Sequence, residues 1–141
     1  EPADLFHFCP DTSPLLGTLY EVLEKVSRAD VCRAVWTGAC NVYHMCAHNL
    51  VHEKSPDILR ALYKSAAFTL QAIAYLQTGQ YARGKQALRA LLKPEDQGIL
   101  ETGMALKQTL EISEEAFQAA SGALLRWASA WVQAASKMGR M

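Results

Sequence analysis

"SPDILRALYKSAAFTLQAIAYLQTG", residues 55–79, carries start signal, body and stop signal of one helix. Ser55 is a residue type whose side-chain oxygen satisfies the free N–H groups at a helix start, and Pro56 brings a backbone angle already set for the first turn. Ile58, Leu62, Ala66, Leu70 and Ile73 then recur three and four apart, which aligns them on one face. Gly79 follows the last periodic residue and supplies the left-handed conformation that closes a helix. The stretch predicts a helix from about 56 to 78.

The same grammar extends in both directions. Ser13-Pro14 predicts a helix to about Ser27, with Leu15, Leu19, Val22, Leu23 and Val26 as its apolar stripe. Asp30 is expected to cap a longer helix reaching about His52. Within it, Gly38 and Ala39 are small enough to let a second helix approach. Downstream, helices are expected over about 81–92, over 94–108 opened by Pro94, and from Ser113-Glu114-Glu115 to the C-terminus. In the last of these, Phe117, Ala120, Leu124, Trp127 and Trp131 form a packing seam, and Lys137 and Arg140 sit where the helix dipole favours positive charge. No stretch alternates as a strand does. The expected fold is all-α: an up-and-down bundle of about five to six helices. Residues 1–12, with Pro2 and Pro10, read as an irregular lead-in, and residues 13–141 as a single domain.

Composition narrows the function. The chain has 141 residues, half of them hydrophobic, enough for one core. Its 14 basic and 14 acidic residues cancel, which argues against a general nucleic-acid or membrane-surface binder. No apolar run is long enough to span a bilayer. Cys9, Cys32, Cys40 and Cys46 show no CxxC spacing and are expected to be reduced thiols of a cytoplasmic protein. The opening Glu1-Pro2, in place of Met, is expected to mark a chain trimmed or cut from a longer protein.

The candidate chemistry lies in "NVYHMCAHNLVHEK", residues 41–54, where His44, His48 and His52 recur every fourth residue. A step of four turns a helix about 40° beyond a full circle, so the three lie on one drifting stripe. An adjacent pair can grip one zinc. All three cannot, because the outer two are about 12 Å apart along the axis and a zinc–nitrogen bond is about 2.1 Å. Three readings follow: a solvated face, a cleft lining that binds a polar or anionic ligand, and a metal pair completed from another helix. Arg60, Lys64, Arg83, Lys85 and Arg89 are either a solvated face or a basic patch near one end of two helices. Cys46 sits two residues from both His44 and His48, on a different side of a helix, so no Cys-His dyad is expected. No Walker loop, GxGxxG or GxSxG occurs.

The run "LYKSAAFTLQAIAYLQTGQYARGKQALRALL", residues 62–92, with its "YLQTGQY" turn, resembles the C-terminal helical domain of nucleotidyltransferases of the kanamycin and aminoglycoside type, and the related HEPN helical bundles. "YHMCAHNLVHEK" and "LLRWAS" fit the same pattern. The resemblance implies a noncatalytic domain that holds a small-molecule acceptor against an upstream catalytic domain. That upstream domain would carry the GS motif, the carboxylates, and any nucleoside triphosphate and magnesium. Residues 1–12 would then be the linker from it. Under this reading Tyr43, His44, His48 and His52 are the expected substrate contacts, with Lys64 and Lys85 as phosphate or acceptor contacts. No arginine stands four to six residues before a histidine, the spacing the ribonuclease branch of HEPN requires. The alternatives are a free-standing interaction module, such as a homodimer or a toxin–antitoxin-type partner, and a metal-binding bundle built on His44, His48 and His52.

Overall fold

The computed structural model describes residues 27–138; the expected lead-in over 1–12 and the helix expected over 13–27, apart from Ser27, lie outside the described residues. Among these residues five α-helices are formed: α1 Arg28–His48, α2 Pro56–Thr78, α3 Lys85–Leu91, α4 Pro94–Gln108 and α5 Glu114–Met138. Among the described residues there is no strand, and the helices make an up-and-down bundle. α1 packs most extensively on α5 and α2, and α2 also packs on α4. Leu59, Leu70, Ile73 and Leu124 are fully buried at the centre.

The start of α1 differs from expectation by one role. Ser27 is the cap, accepting from the Asp30 amide at 3.1 Å, and Asp30 answers by accepting from the Ser27 amide at 3.4 Å. The aspartate is the third residue of a reciprocal capping box. The end of α1 differs more. The α-helix stops at His48, and Asn49–Glu53 winds as a π-helix. The wider turn places the Asn49 side chain inside, 1% exposed. There its amide nitrogen donates to the Ser55 carbonyl, and its oxygen accepts from the Ser55 amide, both at 3.0 Å. Lys54 takes the left-handed conformation, φ 52°, to complete the corner.

α2 runs as expected, capped by Ser55 Oγ on the Ile58 amide and closed by Gly79 at φ 73°. α3 starts later than expected. Gly84, at φ 81°, turns the chain there and delays helix formation to Lys85. α4 has the expected bounds, and Ser113 accepts from the Ala116 amide at the head of α5.

Gly38 is where α1 and α2 cross. A Cβ at that position would collide with the Oγ1 of Thr69, itself 1% exposed. Helix propensity alone favours alanine over glycine by about 1 kcal/mol. The overlap reverses the sign: Gly38→Ala is expected to destabilise the bundle by about 1–2 kcal/mol, within the range for overpacked cores. Urea denaturation checks this, and Thr69→Ala in the same chain is expected to restore most of the loss. A stabilising Gly38→Ala would overturn the close-approach argument.

Candidate functional site

The expected site residues separate into two groups on the molecule. Tyr43, His44 and His48 lie on α1 and His52 on the π-turn, all of them exposed. The His48 and His52 rings stand 4.8 Å apart at a 41° tilt, and His48 Nε2 lies 3.7 Å from Glu53 Oε1. Among the described residues, no group of three or more histidine, cysteine, aspartate or glutamate side chains is placed to hold a metal ion. Cys32, Cys40 and Cys46 are free thiols. Cys46 is buried against α5, its Sγ 3.5 Å from the Ser121 carbonyl oxygen, and burial pushes its pKa up to about 11.

Lys64 and Lys85 come together elsewhere, on a cavity of about 440 Å³ between α2, α3 and α4. This falls in the range of small-molecule sites, about 300–1,000 Å³. α2 presents opposite faces to two neighbours. Leu59, Leu62, Ala66 and Ile73 enter the core, while Lys64, Ala67, Phe68 and Gln71 look into the cavity. The floor is apolar, with Phe68, Leu88, Leu100 and Met104. Gly103 lets α4 sit close, since a Cβ there would lie 3.3 Å from the Tyr63 side chain.

Tyr63 forms the back wall and donates its hydroxyl to the Ala120 carbonyl at 2.8 Å. Burial holds this phenol well above its usual pKa; Cys46 adds to the shift and Arg126 opposes it. The hydroxyl is thus a fixed donor within the protein, tying α2 to α5.

The rim is basic. Lys64, Lys85 and Lys107 are exposed and line the cavity from three different helices. None of the three has an ion pair or hydrogen bond among the described residues. Arg60 also lines the cavity, but its guanidinium is engaged. It donates to the carbonyls of Leu106 (3.1 Å), Thr109 (2.6 Å) and Leu110 (3.2 Å), and to Asp57 (2.8 Å). Arg60 therefore satisfies the carbonyls at the end of α4. Of the other basic residues of this region, Arg89 pairs with Glu101 at 2.6 Å. Among the described residues, no aspartate or glutamate lines the cavity.

Lys107, Phe68 and Met104 were not singled out by sequence reasoning. Lys107 is 43 residues from Lys64, and no local pattern links them. The sequence signal available was a free cation on an amphipathic helix, which many solvated helices share. Among the described residues no helix is long and apolar enough to cross a membrane. No protein-family model, curated protein or solved structure matches the chain.

Proposed function

We propose that this chain is a noncatalytic helical domain that binds a small anionic molecule in the cavity between α2, α3 and α4. One observation carries the reading: among the described residues, three unpaired lysines from three helices line an apolar cavity and no acid does, in a chain of zero formal net charge. Such a site attracts an anion and repels a cation. The reading keeps Lys64 and Lys85 as ligand contacts and adds Lys107. Tyr43, His44, His48 and His52 belong to a separate exposed surface and do not line this cavity. In the nucleotidyltransferase-like setting implied by the sequence resemblance, the cavity would hold the acceptor for an upstream catalytic domain. Its charge suits an anionic acceptor better than a polycationic one.

A thermal-shift panel of anionic, neutral and cationic small molecules tests the proposal. Anions at about 100 times their Kd are expected to stabilise the fold by about 2.7 kcal/mol. Ala67→Trp, which fills the cavity, is expected to abolish the shift. Cations that stabilise as well as anions, or shifts that survive Ala67→Trp, would overturn it.

A second reading is an interaction module. Trp36, Tyr43 and Met45 are large apolar side chains exposed on α1, at 44%, 45% and 53%. Sedimentation of the chain across a hundredfold concentration range tests this. A rise in mass that Trp36→Ser with Tyr43→Ser removes would support a homodimer through α1, and a constant monomer mass would exclude it.

A further inference from the structure

We propose that His48 and His52 form a two-histidine chelate for one divalent transition-metal ion of the zinc and nickel class, where α1 passes into the π-turn. The site is separate from the lysine-rimmed cavity, which neither residue lines. It stands independently of the anion-binding reading.

The spacing of the two rings carries the proposal. Their centroids are 4.8 Å apart. An ion about 2.1 Å from an imidazole nitrogen lies about 3.2 Å from the centre of that ring. Two rings on one such ion, at bond angles of about 90–110°, therefore have centres about 4.5–5.2 Å apart. His48 and His52 already stand at this spacing.

The backbone explains why this pair is formed and the other is not. His44 and His48 are also four residues apart, but on regular α-helix, where four residues overshoot a full turn by about 40°. Among the described residues His44 makes no ring contact with His48. Beyond His48 the chain winds as a π-helix, whose wider turn takes up the overshoot. Asn49 holds that turn through its two hydrogen bonds to Ser55, and Lys54 closes it in the left-handed conformation.

The surroundings suit a cation. His48 and His52 lie in the last turns of the α- and π-segments, the end at which the helix dipole favours positive charge. Glu53 Oε1 is 3.7 Å from His48 Nε2 and adds a negative charge beside the pair. Beyond that contact and their own ring contact, neither imidazole has a partner among the described residues. Imidazole suits zinc, copper and nickel, whereas magnesium and calcium take oxygen ligands. Two protein ligands leave the ion's other positions to water.

Calorimetric titration of the full chain with nickel chloride, with magnesium chloride as control, tests the site. Nickel is expected to bind and magnesium is not. His48→Ala and His52→Ala should each weaken nickel binding about tenfold or more, and His44→Ala about twofold at most, with the circular dichroism spectrum unchanged in all three. In nuclear magnetic resonance spectra, a small fraction of an equivalent of nickel should broaden the ring signals of His48 and His52 before that of His44. Nickel binding that survives both His48→Ala and His52→Ala would overturn the chelate. So would a loss as large in His44→Ala, or no binding by the native chain at millimolar nickel. None of these outcomes bears on the anion cavity, whose own test is Ala67→Trp.

Discussion

Asp96→Ala is expected to cost the bundle about 3–5 kcal/mol, the largest effect of any polar substitution described here. Asp96 is in the first turn of α4 and is 3% exposed. One of its oxygens, Oδ1, accepts from the indole N–H of Trp127 and from that of Trp131, both at 2.9 Å. Trp127 is itself 7% exposed, so its N–H has little recourse to water. Alanine leaves two donors without their charged acceptor. Each orphaned buried donor costs about 1–3 kcal/mol, and the vacated space adds to the total. In a chain of this length the loss corresponds to a fall on the order of 10–20 °C in Tm. Asp96→Asn keeps a carbonyl acceptor and should lose less than half as much. Urea and thermal unfolding followed by circular dichroism provide the measurement. A loss under 1 kcal/mol for Asp96→Ala would mean that the indoles find other partners and that the carboxylate is dispensable to the α4–α5 contact.

Asn49→Ala is the second large effect, expected at about 2–4 kcal/mol. The side chain replaces two backbone partners at once, holding both the amide and the carbonyl of Ser55. Without it the Ser55 amide loses its acceptor, while the Ser55 carbonyl keeps the Leu59 amide at 3.1 Å; an orphaned amide that stays buried costs about 1–3 kcal/mol, and the space vacated by the buried side chain adds to it. Asn49→Asp makes the more discriminating test. Aspartate still accepts from the Ser55 amide, but it turns a carboxylate oxygen towards the Ser55 carbonyl and so should rescue little. Hydrogen exchange should locate the damage, with the Ser55 and Ile58 amides losing protection before those in the middle of α2. If Asn49→Asp proves as stable as the native chain, the paired geometry at the corner is not what holds it.

These two residues also mark the boundary of what was legible in the sequence. The bounds of α2 and α4 followed from local chemistry: Ser55-Pro56 and Gly79 for one, Pro94 for the other. Gly38 was read as a point of close approach, and Thr69 is the partner. The π-turn was not legible, because the apolar residues of 31–46 keep the ordinary helical period, and the event that breaks it is a contact between Asn49 and a residue beyond the turn. Asp96 was hidden for a different reason. An acid at the start of a helix is already explained by the helix dipole, and its tryptophan partners stand 31 and 35 residues away. The candidate site was half legible. Lys64 and Lys85 were named and share the cavity, whereas Lys107 and the apolar floor depend on how α4 packs against α2 and α3. The histidines drew attention by their spacing, which set them on one stripe but could not specify what that stripe would face.

The chain has three tryptophans, and two of them share the Asp96 carboxylate. Indole emission responds to a nearby negative charge and to exclusion of water, so the seam between α4 and α5 carries its own optical reporter. The third, Trp36, lies exposed on α1 and contributes a solvent-like background that Trp36→Phe would remove. α4 also forms one wall of the lysine-rimmed cavity, through Leu100, Met104 and Lys107. A ligand that shifts this helix would change the colour of the protein's own light, with no label attached.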